Sequence, residues 1–131
     1  VVYFPDNELY GRYREARSTQ MSGETTVFAR NQDEKLREFI AGSDVVISDS
    51  QYDVDEYPKH IGWGHSCAED VVEFAMRSNV KQVYMFHHDP EHSDARIAQM
   101  LANARKIVNE TGSTMQVEAA REGLEVVLKA S

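Results

Sequence analysis

Gly62-Trp63-Gly64-His65-Ser66 and, one amphipathic segment later, Val83-Tyr84-Met85-Phe86-His87-His88-Asp89-Pro90 decide how this chain is read. The first stretch is a loop bracketed by glycines. The second is an apolar run that stops abruptly in imidazole and carboxylate. Between them Val71, Val72, Phe74, Ala75 and Met76 give a helix with a broad apolar face, and Ser66 with Glu69 has the spacing of a capping box. Loop, helix and buried strand make an α/β unit, and open sheets place their sites at the carboxyl ends of such strands.

Working outward, Val1 to Phe4 reads as a short strand closed by Pro5 and followed by Asp6-Asn7-Glu8. Asp44 to Ser48 carries Val45-Val46-Ile47, a run typical of a strand covered on both faces, and ends in Asp49-Ser50-Gln51-Tyr52. Leu9 to Arg30 is polar with no sustained period and reads as a loop or mobile insertion. Asp33 to Ile40 is an amphipathic helix, with Asn31 as its cap and Gly42 as its stop. Ser93 or Asp94 opens a helix through Asn109. Met115 to Glu118 and Leu124 to Leu128 read as final strands around the turn Arg121-Glu122-Gly123. Strands alternating with helices predict an α/β fold with a largely parallel sheet and right-handed crossovers.

The 131 residues suit one domain, 1–131, with an ordinary apolar fraction of 41%. A net charge of −8 argues against a broad nucleic-acid-binding surface built on a basic face. It does not argue against an anionic substrate at a metal site, where the ion supplies positive charge. Cys67 is the only cysteine, which excludes an internal disulfide and suggests a reducing, cytoplasmic setting. No run approaches a membrane span, so no membrane role is expected. The opening Val1-Val2-Tyr3-Phe4 looks like a core strand, so an N-terminal part of a larger protein is expected to be missing.

Three strands end in polar clusters: Asp6-Asn7-Glu8, Asp49-Ser50-Gln51 and His87-His88-Asp89. If the strands are parallel neighbours, these ends converge, and His65 joins them. Carboxylate with imidazole suits zinc, iron or manganese. Simpler readings stay open at each position. Asp6 can cap a turn after Pro5, Asp49 can form an Asx turn, and His65 can bond backbone at a helix entry. His87 and His88 point opposite ways in an extended segment, so at most one enters the site. His92 reads as part of an exposed N-terminal turn. Trp63 and Tyr52 read as packing residues around the loop, and Cys67 as a small buried side chain.

The four motifs Val2–Glu8, Asp44–Tyr52, Glu56–Ser66 and Val83–Pro90, in this order and spacing, resemble the C-terminal half of a metallo-β-lactamase-fold hydrolase, on the ribonuclease Z and phosphodiesterase side of that superfamily. The resemblance implies half of an αββα sandwich, a mixed sheet with helices on one face. It also implies a two-metal site, usually zinc, with iron or manganese as alternatives. By position Asp6 matches the metal-bridging aspartate, His87 the last histidine ligand and His65 the catalytic histidine of the Gly-His-Ser loop. Asp49 and His88 are expected behind the ligands rather than on the metal. The His-x-His-x-Asp-His motif of such proteins is absent, and no histidine precedes His60.

The parent protein is therefore expected to cleave a small-molecule or nucleotide phosphodiester, or another ester or lactone, with a metal-bound hydroxide at a dinuclear site. This chain alone is expected to be inactive. The alternative is a non-catalytic half-domain that self-associates or pairs with a missing N-terminal half.

Overall fold

The computed structural model describes residues 1–9 and 23–130. Their elements run β1 (Val2–Phe4), α1 (Gly23–Ile40), β2 (Val46–Asp49), α2 (Ala68–Arg77), β3 (Gln82–Phe86), α3 (Asp94–Glu110) and β4 (Gln116–Ala119), with a 3-10 turn at Tyr57–Lys59. The sheet order is β1-β2-β3-β4 and every described pair is parallel. The α/β expectation therefore holds, whereas the mixed sheet does not: there is no antiparallel strand among the described residues.

Val2, Val46, Val83 and Val117 stand side by side in register. Side chains alternate along a strand, so they share a face with Phe4, Ser48 and Met85. That face packs on Ile40, Val72, Ala75, Met100, Ala104 and Val108, which come from all three helices and form one core with it. The helices thus lie on one side of the sheet. The opposite face carries Tyr3, Ile47 and Tyr84. Leu124, Val126 and Leu128 lie beside it and line an apolar groove with Ile47 and Tyr84.

Leu124 to Leu128 is not a strand. Its alternation resembles one, but alternate residues here meet a sheet face instead of a ladder partner. The expected loop at Leu9–Arg30 is also corrected in part. Leu9 is buried in the core, residues 10–22 lie outside the described residues, and α1 already begins at Gly23. Asn31 is inside that helix and does not cap it. The early turns of α1 have no apolar period because Val27 and Phe28 are exposed. Leu36 and Ile40, near its end, meet the core.

Cys67, not Ser66, occupies the N-cap of α2, and no side chain caps it, so the Ser66–Glu69 capping box does not form. At α3 the expected cap is present, with Ser93 Oγ accepting from the Arg96 amide at 3.2 Å.

Candidate metal centre

Parallel neighbours send their carboxyl ends the same way, so the polar residues after β1, β2 and β3 meet at one rim. Asp6, Asp49, His65 and His87 each offer one donor atom there, and these atoms lie within 4.8 Å of one another. His65 Nδ1 is 2.6 Å from Asp49 Oδ2 and 3.5 Å from Asp6 Oδ1. His87 Nε2 is 3.8 Å from Asp6 Oδ1. The two imidazoles stack with centroids 4.7 Å apart.

Asp49 is wholly buried. Burial pushes its carboxyl up from the ordinary range, against the pull of hydrogen bonds from His65, Ser66 and Gln51. Its Oδ1 accepts from the Ser66 amide at 3.1 Å and the Gln51 amide at 3.3 Å. A cation beside a buried carboxylate and two imidazoles would favour the ionised form, and this donor set suits zinc or a neighbouring transition metal. The residues present therefore fit a metal ion.

Two curated proteins align with most of this chain. Ribonuclease Z of Picrophilus torridus is 30% identical over 95 residues, 72% of this chain and 28% of that protein. Ribonuclease Z of Thermoplasma acidophilum is 28% identical over 105 residues, 80% of this chain and 32% of its own length. The chain is related to ribonuclease Z. The aligned part spans about a third of these relatives' length. No family model matches the chain, and no solved structure does.

In this ribonuclease Z relative, His87 is held in an unusual way. Its φ is 59°, in the left-handed region that costs a non-glycine residue about 1–2 kcal/mol. Its Nδ1 donates to Gln51 Oε1 at 3.0 Å, which leaves the Nε2 lone pair toward Asp6. The Gln51 amide nitrogen in turn points to Asp89 Oδ2 at 3.3 Å. The backbone amide of Glu91 holds the Asp89 carboxyl below its usual range, ahead of the Gln51 bond.

Glu8 ties the rim together. Its Oε1 accepts from the Tyr57 hydroxyl at 2.8 Å and the Gly62 amide at 2.7 Å, and its Oε2 accepts from the Gly64 amide at 2.9 Å. Ser66 Oγ donates to the Asn7 carbonyl at 2.5 Å and accepts from the Leu9 amide at 3.1 Å. The Gly-Trp-Gly-His-Ser loop is thus sewn to the segment that carries Asp6. Glu8 and Gln51 were given no role from sequence. Each stands two residues after an acid singled out there, on the alternation that returns a side chain to the same face.

The remaining candidates lie elsewhere. His88 Nε2 meets the Ala120 carbonyl at 3.0 Å, beyond β4, and is not in the group of four. The His92 side chain is largely covered rather than exposed, with Nε2 on Glu56 Oε1 at 2.8 Å. Arg96 pairs with Asp53 in the same region. Cys67 is buried as expected, and burial pushes its thiol well above the ordinary range. Tyr52 is buried as expected, whereas Trp63 is 66% exposed and touches the loop only through the edge of the His60 ring.

Proposed function

We propose that this chain is part of a metal-dependent phosphodiesterase acting on RNA, with Asp6 and His87 holding metal and His65 serving the leaving group. The observation that carries this reading is the gathering of Asp6, Asp49, His65 and His87 donor atoms within 4.8 Å at the carboxyl rim. Zinc, iron or manganese bound there would polarise the phosphoryl group and make a water acidic at neutral pH. Asp6 would hold two such ions. The Gln51 contact would keep His87 in the tautomer that presents Nε2.

Asp49 would orient His65 through Nδ1. The other ring nitrogen would then donate a hydrogen bond or proton to the departing oxygen. The name ribonuclease, borne by both relatives, favours an RNA phosphodiester over a small nucleotide diester.

The chain would be half of an αββα sandwich. Asp6 and His87 are fewer ligands than the three or four that even one zinc takes. The other ligands, His-x-His-x-Asp-His among them, would come from an N-terminal half packed against the face that carries Tyr3, Ile47 and Tyr84. On this reading the 131-residue chain binds zinc weakly and does not hydrolyse bis(p-nitrophenyl) phosphate, and Asp6→Asn or His87→Ala abolishes the weak uptake. Metal uptake indifferent to both substitutions would refute the metal reading. About two tightly held ions with turnover by this chain alone would refute the half-site. The apolar groove beside the second sheet face favours one other reading, a non-catalytic half-domain that pairs with itself.

A further inference from the structure

We infer that Trp63 is a stacking platform for a nucleobase next to the phosphodiester. This rests on the phosphodiesterase reading and adds what recognises the substrate. A singly exposed apolar side chain is ordinary, but Trp63 is presented by a fixed frame. It follows Gly62 and precedes Gly64, both at positive φ, 89° and 92°. That backbone lets both flanking amides reach the Glu8 carboxylate, at 2.7 and 2.9 Å. The Trp63 amide donates to the His60 carbonyl at 3.1 Å.

The indole meets the His60 ring edge to face, with centroids 4.8 Å apart. His60 in turn stacks on the buried Tyr52 ring at 4.2 Å. The loop therefore holds an aromatic ring in water at a set position, two residues from His65, with an aromatic column anchoring it to the core. A chain of net charge −8 gains little from long-range attraction to a polyanion. Stacking on a π-face does not depend on charge and accepts any base.

Trp63 is the single tryptophan, so its fluorescence reads this site alone. The test titrates the full chain with a short phosphorothioate oligoadenylate, and separately with ribose 5-phosphate, which has no base. Saturable quenching by the first and none by the second is expected. Trp63→Ala should weaken binding of a labelled oligoadenylate about tenfold, and Trp63→Phe should restore most of it. Emission that ignores oligoadenylate, equal quenching by ribose 5-phosphate, or unchanged affinity in Trp63→Ala would each overturn the inference. The titrations contain chelator. Failure of metal binding at Asp6 and His87 then leaves this readout intact, and failure of stacking leaves the metal titration intact.

Discussion

His87 is where local comfort and site geometry conflict most openly. Its left-handed backbone is one that glycine adopts freely. His87→Gly is expected to raise the urea midpoint by the equivalent of about 1 kcal/mol while removing zinc uptake. An unchanged or lower midpoint would show that the Gln51 contact outweighs the strain. Cys67 gives a pH signature. The folded thiol sits well above its ordinary value because of burial, whereas the unfolded thiol titrates near ~8.5. Above that pH the unfolded chain has lost a proton that the folded chain keeps, so stability falls as pH rises. Urea midpoints between about pH 8 and 10 should decline, and Cys67→Ala should flatten the decline. The single-residue roles show how far sequence reaches. Asp6, Asp49, His65 and His87 were legible because each ends a strand or begins a helix in a polar cluster. Gln51 and Glu8 were not, because their importance is in the partners they meet, and those lie 36 or more residues away.

Among elements, the Gly-Trp-Gly-His-Ser loop depends on contacts outside itself. Glu8→Ala removes the acceptor for one hydroxyl and two amides, and is expected to cost about 1–3 kcal/mol. It should also lower the fluorescence anisotropy of Trp63; an unaltered anisotropy would mean that the loop is rigid without the clamp. Arg96 on α3 neutralises Asp53, which is buried at the base of the segment leading into that loop. Arg96→Ala should cost about 1–3 kcal/mol, measured by urea unfolding, because it leaves the Asp53 carboxylate with the Asp55 and Glu56 amides but no cation. The same elements mark where pattern reading succeeds. α2, β3 and α3 were evident because each has a full apolar face meeting one core. α1 was seen only where Leu36 and Ile40 touch that core, since Val27 and Phe28, exposed further up the helix, add no period that points inward. Leu124 to Leu128 misled for the opposite reason: its alternation fits a strand, but no strand pairs with it among the described residues.

At the scale of the whole molecule, the sheet has helices on one side and an apolar groove beside the other. If that second face is a pairing surface, the chain should elute in gel filtration ahead of a 14.9 kDa monomer. Tyr3→Lys, on the exposed second face, should return it to the monomer position. Monomeric elution of the unsubstituted chain would count against self-pairing. The parallel order was legible from strand and helix alternation. Which strands lie at the edges was not, because edge and centre positions differ in neighbours rather than in pattern.

Among the described residues, the three-residue β1 lies at the edge of the sheet and is joined only to β2. Asp6 and Glu8 follow directly from it. If β1 peels away, Asp6 leaves the rim, the loop loses its clamp, and the backbone of β2 is bared to the first foreign strand that arrives. Loss of the four-residue rim and clumping would then share one gate, so a solute that keeps Asp6 seated would also protect the protein in concentrated storage.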